Sequence, residues 1–199
     1  MHKVFISYHH ANDQHYKESL VNYGREHGLF VDRSVDTGGI SDHLDDQQIR
    51  RIIRDDYLQD STITIVLIGT ETKRRKHVDW EIHSSMFDGP INKKSGVLGI
   101  NLPTVDAGAI LLPFGNEAKS IVAPDISNWR TITDRQDYER TYPYAPARII
   151  DSLVVGSEIP IVGWSRLTPR RLDYLLEKVF ANRKSCKYDL STPMRRRNS

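Results

Sequence analysis

The sequence predicts an α/β domain in which helices cover both faces of a central parallel sheet. Short apolar, β-branched segments alternate with segments of helical periodicity, which is the pattern of a doubly wound fold. Residues 62–69, TITIVLIG, are almost continuously apolar. A strand needs such a run when it is buried on both faces, as in a parallel sheet.

The core of this domain is predicted between residues 3 and 102. Its strands are expected at 3–8, 29–35, 62–69 and 96–102. Its helices carry apolar side chains every three to four residues: Tyr16, Leu20 and Tyr23; Ile49, Ile52, Ile53 and Tyr57; Val78, Ile82 and Met86. A loop rich in glycine and aspartate, residues 36–46, separates the second strand from the second helix and is expected to be long and mobile.

The regular alternation of predicted strands and helices becomes less clear after Pro103. Six of the nine prolines lie within residues 103–165. We interpret residues 103–181 as an elaboration of the core, so that residues 1–181 form one domain. Within it we expect an edge strand in 118–129, a short helix in 146–154, and a closing helix that Thr168 caps and Pro169 begins. Residues 182–199 are polar and basic, and predict a flexible tail.

Composition excludes several classes of protein. The chain has 28 basic and 26 acidic residues, a balance that argues against a nucleic-acid binder. Cys186 is the only cysteine, so no internal disulfide can form. No apolar run approaches the roughly 20 residues that span a bilayer, and the N-terminus lacks the pattern of a signal peptide. We therefore predict a cytoplasmic protein without membrane contact.

Ligands of parallel α/β sheets bind beyond the carboxyl ends of the strands, which directs attention to one acidic residue. Glu81 follows the third predicted strand and lies three residues after Val78, about 60° round the helix from it. It therefore flanks the buried face, where a carboxylate is partly desolvated and still reaches a cleft. The alternative is an ordinary helix-terminal charge that interacts with the helix dipole.

Other motifs carry less information. His9 and His10 suggest a metal, but adjacent residues at a strand end point to opposite sides and no third ligand follows at a typical spacing, so we predict no metal site. Residues 73–76, KRRK, are typical of a solvated face, although they would also attract a phosphate-bearing ligand. The sequence has no GxGxxG, P-loop or GxSxG motif.

Two segments carry a resemblance to a known family. VFISYHHAND, residues 4–13, resembles the opening of TIR domains, and TITIVLIGTETKRRKHVDWEI, residues 62–82, resembles their third strand and the helix that bears the catalytic glutamate. The subtype that it most resembles is the TIR-like protein of the bacterial Thoeris antiphage system. The resemblance covers about residues 3–102 and implies a flavodoxin-like TIR fold.

The resemblance also implies an activity: cleavage of the nicotinamide–ribose bond of NAD⁺, with release of a cyclic ADP-ribose-type signal in antiphage defence. NAD⁺ would be the substrate, and no further cofactor is expected. The implied partners are an effector protein activated by the product, a phage-derived trigger and further copies of the chain. By position, Glu81 would be catalytic, and the substrate pocket would include Ser7, Tyr8, His9, Asp36, Thr70, His77 and Trp80.

One departure from the family pattern concerns the aromatic residue near the glutamate. Many NAD⁺-cleaving TIR domains have tryptophan four residues before the glutamate, where this chain has His77 and instead places Trp80 next to Glu81. Two other functions are compatible with the sequence. One is a non-enzymatic TIR module that assembles through the loop at residues 38–40, and the other is an enzyme resembling nucleoside deoxyribosyltransferases.

Overall fold

The computed structural model describes residues 1–34, 41, 43–58, 60–89 and 93–198. Its five described strands are all parallel and follow the order β2-β1-β3-β4-β5. The strands are β1 His2–Ser7, β2 Phe30–Asp32, β3 Ile63–Ile68, β4 Gly96–Asn101 and β5 Ile161–Gly163. The helices are α1 His10–Glu26, α2 Asp46–Ile52, α3 Lys76–Met86, α4 Gly115–Val122, α5 Arg135–Thr141, α6 Ala147–Val154 and α7 Pro169–Asn182. The predicted parallel α/β fold is confirmed.

Helices cover both faces of the sheet, and alternation along each strand distributes the side chains between them. Val4 and Ile6 of β1 lie in a buried cluster with residues of α1, α4 and α7. Phe5, between them, packs with α2 and Trp80 of α3. Since successive strand side chains point to opposite faces, Ser7 belongs to the same face as Phe5, which is the face covered by α3. The alternation of side chains along β1 therefore determines which residues at its end contact Glu81.

Gly96 allows β4 and α7 to approach closely. A Cβ added at Gly96 would overlap the backbone carbonyl of Val179, which cannot rotate away. We therefore expect Gly96→Ala to lower the free energy of unfolding by about 3 kcal/mol, measured by urea denaturation. Gly99→Ala is the matched control in the same strand, because its nearest neighbours are side-chain atoms of Ile161 and Ile68 at 3.2 Å. An equal loss in both variants would contradict this explanation.

One prediction for residues 103–181, the edge strand, is wrong. Residues 118–129 do not form an edge strand, since α4 occupies Gly115–Val122 and buries Ala118 and Val122 at helical spacing. The strand at this edge is β5, only three residues long, which pairs with β4. The predicted helices at residues 146–154 and after Thr168 are present, and the Thr168 hydroxyl accepts the backbone N–H of Arg171.

The second predicted helix is not a single α-helix. It begins as α2 and continues through Ile53–Tyr57 as a wider π-helical turn. Arg54 in this turn is buried and donates hydrogen bonds to the carbonyl groups of Ser84 and Phe87, at the end of α3. Carbonyl groups of the last helical turn lack partners within the helix, so Arg54 satisfies part of this requirement.

The C-terminal segment lies against the domain, although the sequence predicted a flexible tail. We call residues 187–198 the C-terminal strap. Met194 is buried beside Trp80, and its backbone N–H donates to Asp46 of α2. The carbonyl of Arg195 accepts the Trp80 indole N–H at 2.7 Å. The strap thus connects α2 to α3, because its backbone satisfies polar groups on both helices.

Within the described part of the chain, no helix combines the length and apolar character that crossing a bilayer requires.

Candidate functional site

The side chain of Glu81 is buried and hydrogen-bonded at the carboxyl end of the sheet. It is only 2% exposed, and its Oε2 accepts the hydroxyl of Ser7 at 2.5 Å. Ser7 is the last residue of β1, and the alternation of side chains along the strand directs it toward α3. The structure therefore brings together two residues that are 74 positions apart in the sequence, at the edge where parallel sheets bind ligands.

His9 follows Ser7 by two residues and interacts electrostatically with Arg75, the residue before α3. It is buried, and Nδ1 of its ring has no hydrogen-bond partner among the described residues. Burial, reinforced by the positive charge of Arg75, lowers the pKa of His9 below its ordinary value. A neutral imidazole can donate from one nitrogen and accept at the other, so His9 offers a polar group without a competing charge.

Two of the predicted pocket residues do not share the buried surroundings of Glu81. Tyr8 points to the opposite face of the sheet, where it belongs to the cluster of α1 and its hydroxyl donates to Gln14 at 2.5 Å. Thr70 is exposed in the turn that follows β3. Asp36, predicted in the loop after β2, lies outside the described residues, as do the glycines at 38 and 39 and Ile40.

The two ring-bearing residues beside Glu81 have different environments. His77 is half-buried and precedes Glu81 by four residues, so the two lie on the same side of α3. Trp80 is 0% exposed and packs against α2 and the C-terminal strap, with its indole N–H bonded to Arg195. In this structure Trp80 therefore has no surface for a substrate, contrary to the predicted role, whereas His77 stacks on it with ring centroids 4.9 Å apart.

Asp13 is a buried acid at the same edge of the sheet that sequence reasoning did not identify. It lies in the first turn of α1, with Oδ2 unpartnered among the described residues. Burial raises its pKa above the ordinary value. A side chain at Gly69 would collide with its carboxylate, which explains the glycine at the end of β3. The only signal in the sequence was an acid in a first helical turn, which usually indicates a dipole interaction.

A buried ion pair fixes α3 on the side away from β1. Arg148 of α6, 2% exposed, donates from Nε to Asp79 Oδ1 at 2.9 Å and from Nη2 to Oδ2 at 3.1 Å. Asp79 Oδ2 also accepts the backbone N–H of Arg195 in the strap, at 2.8 Å. Asp79 is two residues before Glu81, so this network restricts the rotation and translation of the helix that carries Glu81.

His83, one turn after Asp79, makes stability depend on pH. Burial, together with the charge of Arg148, lowers the pKa of His83 from 6.5 to about 4. Between about pH 4 and pH 6.5, His83 is therefore protonated in the unfolded chain and neutral in the folded chain. The full stability is present above about pH 6.5, and we expect a loss of about 3 kcal/mol attributable to His83 as the pH falls to about 4.

Urea denaturation across this pH range measures the effect. His83→Gln should flatten the dependence relative to the parent protein, whereas the exposed His43→Gln should leave it unchanged. Parallel curves for the parent and His83→Gln proteins would show that His83 does not cause the loss.

The parallel sheet and the position of Glu81 after its third strand define the class of protein: a flavodoxin-like α/β domain of the TIR type. The chain belongs to a particular family of this class. The family model described as "Thoeris protein ThsB, TIR-like domain" matches residues 5–107, just over half of the chain. This confirms the family that the strand and helix motifs indicated. A comparison with curated proteins found no match.

Proposed function

We propose that the protein is an NAD⁺-consuming TIR enzyme that cleaves the nicotinamide–ribose bond and releases a cyclic ADP-ribose-type signal in antiphage defence. The observation that carries this proposal is the buried Glu81 carboxylate, held by Ser7 at the ligand-binding edge of the sheet. Membership of the Thoeris family supports the defence context. An ordinary surface charge would have no reason to be 2% exposed.

The chemistry explains why one acid suffices. Glycosidases use two carboxyl groups, because one must protonate the leaving oxygen. When the glycosidic bond of NAD⁺ breaks, its electron pair leaves with nicotinamide, which departs as a neutral molecule and needs no proton. Positive charge then develops on the ribose, where the carboxylate of Glu81 would stabilise it.

Cyclisation requires that a nucleophilic group of the same molecule reach C1′ of the ribose before water does. A protected site favours this outcome, since exclusion of water suppresses hydrolysis of the reactive intermediate. We propose no cofactor, since NAD⁺ is the substrate. An effector that reads the product and a phage-derived trigger complete the proposed pathway, and assembly of several copies of the chain is part of the proposal.

Mass spectrometry of nucleotides from phage-challenged cells tests this function. Cells with the parent protein should accumulate nicotinamide and a product lighter than ADP-ribose by one water, which is the signature of a cyclic isomer. Cells with Glu81→Gln should accumulate neither. Equal nucleotide pools in both strains, with protection from phage retained by the variant, would instead favour a non-enzymatic interaction module.

A further inference from the structure

A cleft away from Glu81, formed by α5, α6, the segment before α3 and the C-terminal strap, has the features of an anion site. Its volume is about 500 Å³, within the range of pockets for small molecules. None of its lining residues belongs to the predicted site around Glu81. We propose that this cleft binds a phosphate-bearing small molecule of nucleotide size, independently of the chemistry at Glu81.

The rim of the cleft carries an excess of positive charge. Lys73, Arg74 and Arg195 line it, and Glu139 is the only acid among the described lining residues, although Arg74 also pairs with Glu71 at 3.2 Å. The Nζ of Lys73 donates to the carbonyl of Pro143 at 2.6 Å, which holds the ammonium group at the cleft without neutralising it. Glu139 is itself paired with a cation, since Arg135 donates to it at 3.1 Å. Converging cations of this kind raise the local concentration of anions.

Tyr142 supplies an unpartnered donor inside the cleft. Its side chain is almost entirely buried, with 4% of the residue exposed, yet it lines the cleft. No hydrogen bond joins its hydroxyl to a described residue, so this group can donate to a ligand in the cleft. Burial raises the pKa of Tyr142, so the hydroxyl keeps its proton and can donate it to an anionic oxygen.

The first turn of α6 adds to the same site. Ala147, its first residue, lines the cleft, and the preceding Pro146 has no side chain that can cap the helix. N–H groups at the start of a helix favour a negative group, but that of Ile149 already donates to the carbonyl of Pro146 at 3.0 Å. The contribution of this helix to the cationic rim is therefore limited to the N–H groups of Ala147 and Arg148.

The shape of the cleft selects the kind of ligand. The apolar side chains of Ala145 and Ile150 lie beside the cationic rim. This combination suits a molecule with a phosphate at one end and a flat or apolar group at the other. The limited volume fits a nucleotide rather than a folded protein surface. Lys73 and Arg74, the first two residues of the cationic run at 73–76, would thus bind the phosphate of this ligand.

Titration with inorganic pyrophosphate, and separately with ADP, tests the proposal on the full chain. Binding is measured by calorimetry and mapped by the NMR shifts of the Ala145 and Ala147 amides. The double variant Lys73→Gln and Arg74→Gln should weaken pyrophosphate binding about tenfold or more. Tyr142→Phe, which removes only the unpartnered hydroxyl, should weaken it several-fold without lowering the melting temperature.

Two controls separate this cleft from other sources of binding. Lys178→Gln removes a cation that pairs with Glu117 outside the cleft, and should leave the affinity unchanged. Glu81→Gln should also bind pyrophosphate normally. The proposal is overturned if millimolar pyrophosphate shifts neither alanine amide, if the Lys73 and Arg74 double variant binds normally, or if Glu81→Gln abolishes binding. Tighter binding of ADP than of pyrophosphate would identify a nucleotide, and equal binding a simple phosphate ligand.

Discussion

Replacing Glu81 with glutamine should lower the rate of nicotinamide release from NAD⁺ by a factor of about 1,000 and leave the fold intact. Glutamine has nearly the same shape as glutamate, and its amide oxygen can still accept the Ser7 hydroxyl. What it lacks is the negative charge that would face the cation forming on the ribose. Removing one preorganised electrostatic contact from an active site typically costs about 100- to 1,000-fold in rate, and loss of a full charge belongs at the upper end.

The measurement is nicotinamide release by protein purified from cells in which the parent protein is active, with circular dichroism as the check on folding. Glu177→Gln is the matched control, because it makes the same chemical change on an exposed face of α7, where Glu177 pairs with His2. Ser7→Ala should give a smaller loss, about tenfold, since it frees the carboxylate without removing it. Turnover retained by a folded Glu81→Gln protein would remove Glu81 from the catalytic role.

Replacing Arg148 with methionine should lower the free energy of unfolding by about 3–5 kcal/mol, which is the usual cost of leaving one member of a buried ion pair unpartnered. Methionine retains much of the length of the side chain but none of its donors. Asp79 would lose both of its hydrogen bonds to the guanidinium group. The carbonyl groups of Thr192 and Pro193 in the C-terminal strap would lose theirs as well.

Denaturation in urea at pH 7 measures this effect. Arg166→Met is the matched control, because Arg166 also makes two hydrogen bonds to one carboxylate, but that partner, Asp125, is exposed. The midpoint should move much less in this control, since water can replace the lost contacts. Combining Arg148→Met with Asp79→Leu should recover part of the loss. Similar shifts of the midpoint for Arg148→Met and Arg166→Met would show that the buried ion pair contributes no more to stability than the exposed one.

Activity gives a second readout for the Arg148 network. Asp79 lies two residues before Glu81, so a disturbed α3 should reduce nicotinamide release more steeply than the loss of folded protein explains. The comparison is made at a temperature and pH where circular dichroism shows that the variant is fully folded. Full activity under these conditions would mean that Ser7 and the packing of α3 are enough to position Glu81.

Much of the core could be read from local patterns. The strand at 62–69 was evident because continuous apolar character is required where helices cover both faces. The helix that carries Glu81 was evident from the spacing of Val78, Ile82 and Met86, all of which are buried. Such patterns are local, because the spacing of apolar residues along a helix or a strand is visible within a few consecutive residues.

Elements whose identity depends on distant partners were missed. β5 has three residues, too few for a periodic signal, and is a strand only because it pairs with β4. The C-terminal strap has a polar, basic sequence that indicates disorder. Its position depends on backbone groups that meet Trp80 and Asp79, more than 100 residues earlier. No local pattern encodes such contacts.

By itself the sequence determined the family, the parallel α/β architecture and the edge of the sheet at which a site would lie. It also made Glu81 a candidate, because the order of strands and helices places that residue beyond the third strand, and the resemblance to TIR domains implied its catalytic role. Only the tertiary structure showed which residues next to Glu81 in the sequence lie on the same side of α3 as its carboxylate. Consecutive residues of a helix point about 100° apart, so Trp80 turns toward α2 while Glu81 turns toward Ser7. The packing of α3 between α2 and α6 fixes that rotation, and it arises from contacts that the linear order of residues does not contain.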